Sequence, residues 1–144
     1  MPFQSLGLSP LLAQAALQAG YTSPTAIQSQ AIGVVLQGGD VQAQAQTGSG
    51  KTAAYVLPLL HALQAAPRTP HKTSTRKVQV LVLVPTRELA AQVGETIRGF
   101  VQDLPQPPKT VIAFGGVSIN PQMMRLRGGA DIVVATPGRL LDLV

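Results

Sequence analysis

The chain predicts a three-layer α/β sandwich built on a mainly parallel sheet. Three observations carry this. Apolar segments of strand length alternate with segments of helical spacing; the segments Val78 to Val84 and Asp131 to Ala135 are almost uninterrupted apolar runs; and the stretches between strands are long enough for helical crossovers. A continuous apolar run suits a strand covered on both faces, and a helical crossover returns the chain parallel to the strand it left. At 144 residues the chain fits one domain with a single core.

Taken in order, Ser9-Pro10 followed by a Leu/Ala/Gln run ending at Gly20 predicts a short capped helix, with Pro in its first turn and Gly past its last. Ser23-Pro24 repeats the signal. Ile27, Ala31, Val34 and Val35 then recur at helical spacing until Gly38-Gly39 breaks the run. Four strands are expected, at Asp40 to Ala45, Val78 to Val84, Thr110 to Phe114 and Asp131 to Ala135. Helices should begin at Gly50-Lys51-Thr52, Thr86-Arg87-Glu88, Asn120-Pro121 and Thr136-Pro137, where a capping residue or Pro follows a strand. Each helix would thus start at the carboxyl edge of the sheet, the edge at which open α/β folds bind ligands. Pro67 to Arg76 is polar, contains Pro and has no periodicity, so it reads as a mobile surface loop whose basic residues are either solvated or touch nucleic acid.

Composition narrows the chemistry. Eleven Lys and Arg stand against six Asp and Glu, a net +5 that favours a polyanionic partner such as nucleic acid without requiring one. With no Cys, neither a disulfide framework nor a thiolate metal site is available, and His61 and His71 alone make no histidine cluster. The start has no basic segment followed by an apolar one, and no apolar run reaches the roughly 18 residues of a membrane span. The plain expectation is a soluble, cytoplasmic protein.

The strongest local signal is Ala45-Gln46-Thr47-Gly48-Ser49-Gly50-Lys51-Thr52, lying between an expected strand and an expected helix as a P-loop requires. The glycines let the backbone curl so that successive N–H groups face a phosphate. Thr47, Gly48, Ser49 and Gly50 would form that cradle, Lys51 would add a point charge, and Thr52 would offer its hydroxyl to Mg²⁺. Lys51 and Thr52 are therefore the candidate catalytic residues. The general pattern has Gly where Ala45 stands. A P-loop enzyme also needs a carboxylate closing a neighbouring strand, and here the strands run into Pro85, Gly115-Gly116 and Thr136-Pro137, while Asp131 and Asp40 stand at the opening ends of theirs. The expectation is nucleotide binding with little or no hydrolysis by these residues alone.

Around the P-loop, Gly20-Tyr21-Thr22-Ser23-Pro24-Thr25-Ala26-Ile27-Gln28, Pro85-Thr86-Arg87-Glu88-Leu89-Ala90, Gly115-Gly116 and Thr136-Pro137-Gly138-Arg139 occur in that order. The ordered set resembles the DEAD-box ATP-dependent RNA helicase family. The stretch Phe114 to Met124, continuing to Leu126-Arg127-Gly128-Gly129, resembles its bacterial RhlE subgroup in particular. The resemblance covers the whole chain. It implies the N-terminal portion of a first RecA-like P-loop domain at residues 1–144, with a Q motif at 20–28, the P-loop at 45–52 and RNA-binding segments at 85–90, 115–116 and 136–139.

It also implies ATP and Mg²⁺ as cofactors and RNA as partner. Gln28 would read the adenine edge, for which a carboxamide offers a matching donor and acceptor. Tyr21 and Phe3 would either contact the base or belong to the core, and Thr25 would cap a helix. Pro85, Thr86, Arg87, Gly115, Gly116, Thr136, Pro137, Gly138 and Arg139 would meet the RNA backbone, with Arg87 and Arg139 forking onto phosphates unless held in salt bridges. Two departures stand out. Gln42 falls where the family has an apolar strand residue, and the acidic motif that names the family, the Ser-Ala-Thr motif and the second, C-terminal RecA-like domain are all missing. In the family fold the missing strands lie between the P-loop strand and the others, so unpaired edges and self-association are expected. Two other function classes are open to this sequence: a binding module that holds nucleotide or RNA without turnover, and a small-molecule P-loop kinase, which would transfer phosphate to a metabolite and show no salt-sensitive RNA binding.

Overall fold

A computed structural model describes residues 2–66 and 76–144; the expected loop of residues 67–76 lies outside them except for Arg76. The chain divides into two compact units. One holds the residues before 67 together with Thr96–Pro105, and the other holds the remainder.

In the first unit a 3-10 turn, Phe3–Leu6, precedes α1 (Pro10–Gln18), α2 (Ala26–Leu36) and α3 (Lys51–Ala65). Ser9 caps α1 by accepting from the Leu12 N–H at 3.3 Å, with Pro10 opening the helix as the sequence predicts. For α2 the cap is Thr25 rather than Ser23. Gln28, three residues on, accepts from the Thr25 N–H at 2.9 Å, the reciprocal arrangement of a capping box. Helix α2 buries Ile27, Gln28, Ala31 and Ile32 while Val34 is exposed, so its inward stripe is rotated from the one the apolar spacing suggests.

The second unit holds the sheet. Strands β1 (Val80–Leu83), β2 (Thr110–Ala113) and β3 (Ile132–Ala135) form it in the order β1-β3-β2, all parallel, with Leu83 and Ala113 both in register with Ala135. Helices α4 (Arg87–Val101), α5 (Asn120–Leu126) and α6 (Pro137–Leu143) follow the strands in turn, with α4 passing into the first unit at Thr96. All four β3 residues are buried, as a central strand requires, and Val111, Ala113, Ala130, Val133 and Ala135 form a core with Leu126, Leu140 and Leu143 against it. Gly94 lets α4 lie close on β2, because a Cβ there would collide with Ile112 Cδ1.

Two expectations fail. Residues 40–45 form no strand: they run without a ladder partner, and Val41, Gln42, Ala43 and Gln44 are exposed. An extended segment becomes a strand only when a neighbour satisfies its N–H and C=O groups, and among the described strands β1 and β2 pair only with β3. Nor is β1 covered on both faces: Leu81 and Leu83, sharing one face, are 49% and 53% exposed.

The amino edge of the sheet is fastened by charge. Asp131 Oδ2 accepts from Arg76 Nη1 at 2.6 Å and from the Lys109 N–H at 2.7 Å, with the Arg76 pair partly buried. Arg76 also bridges Gly129, whose φ of +82° and lack of a Cβ let the two backbones touch.

Candidate nucleotide and nucleic-acid sites

In the first unit the turn at residues 45–50 owes its shape to Gly48 and Gly50, with φ of +82° and +87°. Left-handed backbone is costly for any residue carrying a Cβ. At Gly50, the residue before α3, a Cβ would also collide with the Gln28 carboxamide. Lys51 Nζ donates to the Ala45 carbonyl at 2.6 Å, closing the loop on itself and holding the ammonium at its mouth. Ser49 Oγ is buried without a hydrogen-bond partner. A curled backbone, a captive ammonium and an unpartnered hydroxyl fit a phosphate chain.

Gln28 has no exposed surface; its Oε1 caps Thr25 and its Nε2 donates to the Gly50 carbonyl at 3.1 Å. The residue expected to select the base is thus bonded to the glycine immediately before Lys51. A carboxamide has two N–H groups and two acceptor lone pairs, so one of each remains. Tyr21 packs its ring on Phe100, centroids 5.3 Å apart, and Phe3 is 2% exposed, so both lie in hydrophobic packing of the first unit.

Thr52 hydrogen-bonds Tyr55, a partner that the motif gives no hint of. Burial pushes the Tyr55 phenol above its ordinary value, and the bond to Thr52 acts in the opposite direction. Among the described residues no group of three His, Cys, Asp or Glu could hold a metal. Thr52 would be the described contact for a Mg²⁺ at nucleotide phosphates. A cavity of about 610 Å³ opens beside this loop, lined by Ile27, Val35, Asp40, Lys51 and Tyr55 among others.

In the second unit the three parallel strands share one register, so their outgoing loops leave at one edge. This brings together Pro85-Thr86-Arg87, Gly115-Gly116 and Thr136-Pro137-Gly138. Pro85, Thr86, Arg87, Gly116, Pro137 and Gly138 are exposed. Thr86 Oγ1 accepts from the Leu89 N–H at 3.1 Å, capping α4. Arg87 stands over the second glycine, with Nη1 3.1 Å from where a Gly116 Cβ would lie. Its Nε donates to Glu88 at 3.1 Å, and Glu88 is held below the usual carboxylate range by its own backbone first and by Arg87 second.

Arg139 differs from Arg87. It is 8% exposed; Nη1 donates to Gln122 Oε1 at 2.9 Å, Nη2 donates to the Val117 carbonyl at 2.8 Å, and Nε faces Asp142 at 3.5 Å, outside hydrogen-bond geometry. Gln122, buried and unremarked in the sequence, donates in turn to the Phe114 carbonyl at 3.1 Å. Asp131 sits at the opposite, amino edge, bonded to Arg76, as its place before β3 implies.

A glycine-curled loop with its lysine at the start of a helix, accompanied by a parallel sheet with clustered exit loops, defines a P-loop α/β domain. The family model for the DEAD/DEAH box helicase matches residues 25–144. The chain belongs to that family. It is 42% identical to the DEAD-box ATP-dependent RNA helicase RhpA of Helicobacter pylori over 97% of this chain and 26% of that one, and 44% identical to the ATP-dependent RNA helicase DeaD of Buchnera aphidicola over 97% and 22%. Among solved structures, the DEAD box protein of Methanococcus jannaschii superposes with a TM-score of 0.80 at 36% identity, covering 99% of this chain and 36% of that one. The chain thus spans about a quarter of the length of the curated relatives it matches.

Proposed function

We propose that this chain is the ATP- and RNA-binding portion of a DEAD-box RNA helicase of the RhlE type, a cytoplasmic protein that couples ATP binding and hydrolysis to local unwinding of RNA duplexes. The observation that carries the nucleotide half is the bond from Gln28 Nε2 to the Gly50 carbonyl, which joins the base-selecting candidate to the phosphate cradle. Thr47, Gly48 and Gly50 supply backbone N–H groups to the phosphates, Ser49 joins them once its N–H leaves the Gln46 carbonyl that it donates to at 3.2 Å, Lys51 supplies charge, and Gln28 turns its remaining N–H and lone pair to adenine. Gln28 has no exposed surface, so adenine entry requires the segment 20–28 to shift. Thr52 would offer its hydroxyl to Mg²⁺, which would supply positive charge beside the phosphates. Phe3 and Tyr21 act behind the base through packing.

The RNA half rests on the three exit loops meeting at one sheet edge, where Arg87 and the backbones of residues 115–116 and 136–138 meet sugar and phosphate without reading sequence. No described strand closes in a carboxylate, which supports binding without hydrolysis by these residues alone. Turnover then calls on the acidic motif and second RecA-like domain that the family resemblance implies. Titration with a fluorescent ATP analogue tests the reading: Gln28→Ala and Lys51→Ala should each weaken binding about tenfold or more, and unchanged affinity in both would remove the assignment. Retained nucleotide and RNA binding without ATP turnover in the complete gene product would favour the binding-module reading instead.

A further inference from the structure

Two buried side chains fasten the loop between β2 and α5. Gln122 takes the Phe114 carbonyl, Arg139 takes the Val117 carbonyl, and the two side chains bond each other at 2.9 Å. The fastened carbonyls bracket Gly115-Gly116, and both side chains are more than nine-tenths buried. In a planar trans peptide the C=O and the following N–H point in opposite directions. Turning the carbonyls of Phe114 and Val117 inward therefore turns the N–H groups of Gly115 and Ser118 outward. Gly116 completes the shape with φ of +82°, beside the Arg87 guanidinium.

We propose that Arg139 and Gln122 are positioning residues for nucleic-acid binding. They aim the amides of Gly115 and Ser118 at backbone phosphates, and Arg139 acts through the loop rather than by touching RNA. The planar fork of Arg is what the role demands, since one guanidinium must serve an amide oxygen and a backbone carbonyl at once. Lysine keeps the charge and loses the fork. The functional part of this inference rests on the RNA-binding reading above; the clamp itself does not.

The test uses the complete gene product carrying Arg139→Lys, Arg139→Ala, Gln122→Ala or Arg87→Ala, with a fluorescein-labelled single-stranded oligouridylate followed by anisotropy over a range of salt. Arg139→Lys and Gln122→Ala should each weaken binding about tenfold, the scale of one to two lost hydrogen bonds, with the slope of log affinity against log salt unchanged. Their double variant should lose little more than either single one, because the two residues form one unit. Arg87→Ala should flatten the slope by about 0.7, the signature of a lost phosphate contact on single strands. If Arg139→Lys binds like the unsubstituted protein, or Arg139→Ala flattens the slope as Arg87→Ala does, Arg139 contacts phosphate directly and the proposal is wrong. Hydrogen exchange across residues 112–122 without RNA gives an independent readout: faster exchange in Arg139→Lys and Gln122→Ala supports the clamp, and unchanged exchange refutes it. An unsubstituted protein that binds no RNA would instead defeat the RNA reading, leaving the exchange result to decide the clamp.

Discussion

The glycine loop before α3 and the carboxyl edge of the sheet, the two places proposed to hold a polyanion, are shaped in different ways. Residues 40–50 run unladdered and mostly exposed, shaped by two left-handed glycines, the Lys51 tether and the Gln28 bond. The loops at 114–118 and 136–139 are held from beneath by the buried Gln122–Arg139 pair. Few buried contacts fasten the first region, so we expect ligand binding to contribute more to its order than to that of the second, which is fixed by buried side chains.

The largest expected effect falls in the unit that carries the second region, at the opposite, amino edge of its sheet. Gly129→Ala forces a Cβ into the Arg76 backbone at a left-handed residue. It should cost about 3 kcal/mol or more of stability, read by urea denaturation, while a mild loss would mean that the Arg76–Gly129 bridge is dispensable. Next, Gly50→Ala drives a methyl into the Gln28 carboxamide. It should lower ATP-analogue affinity at least about tenfold at a stability cost of about 1–2 kcal/mol; equal losses in both readouts would erase the contrast between a ligand-ordered and a pre-shaped region.

Thr25→Ala removes the α2 cap that shares Gln28 with the P-loop. It should cost about 1 kcal/mol and weaken nucleotide binding measurably, whereas lost stability with intact affinity would uncouple cap from cradle. The smallest effect concerns pH. The Tyr55 phenol is raised by burial above 10.0, so the folded state holds this proton more tightly than the unfolded chain does. Its contribution is complete below pH 10 and is lost as pH rises through the folded value. Tyr55→Phe should flatten the fall in unfolding free energy above pH 10, and an unaltered alkaline limb would argue against the burial.

The parts legible in the sequence are those fixed by neighbours along the chain. Ser9-Pro10 opens α1, Thr136-Pro137 opens α6, and Gly48 and Gly50 mark a curled loop, because caps and left-handed turns are decided within a few residues. The segment at 40–45 misled for the complementary reason: Val41, Ala43 and Ala45 alternate with Gln42 and Gln44 at strand spacing, but a strand exists only with a partner, and no described strand supplies one. Arg139 looked like a free phosphate ligand because its motif is local, whereas its partners Gln122 and Val117 lie 17 and 22 positions away. Tyr21 on Phe100 and Asp131 on Arg76 belong to the same class of long-range pairing that no periodicity announces. The Gln28–Gly50 bond is intermediate, since the spacing of Thr25 and Gln28 announces the capping box but not its second partner.

The bare backbone at Gly94 works as a spacer of zero thickness. Seven residues separate it from Arg87, about two helical turns, so both lie on nearly the same side of α4, roughly 10 Å apart along its axis. A methyl wedge against Ile112 would tilt the helix about that point, and the tilt would be magnified at the far end into a displaced guanidinium. The reach of the helix's charged tip is thereby set two turns away, by the smallest residue available.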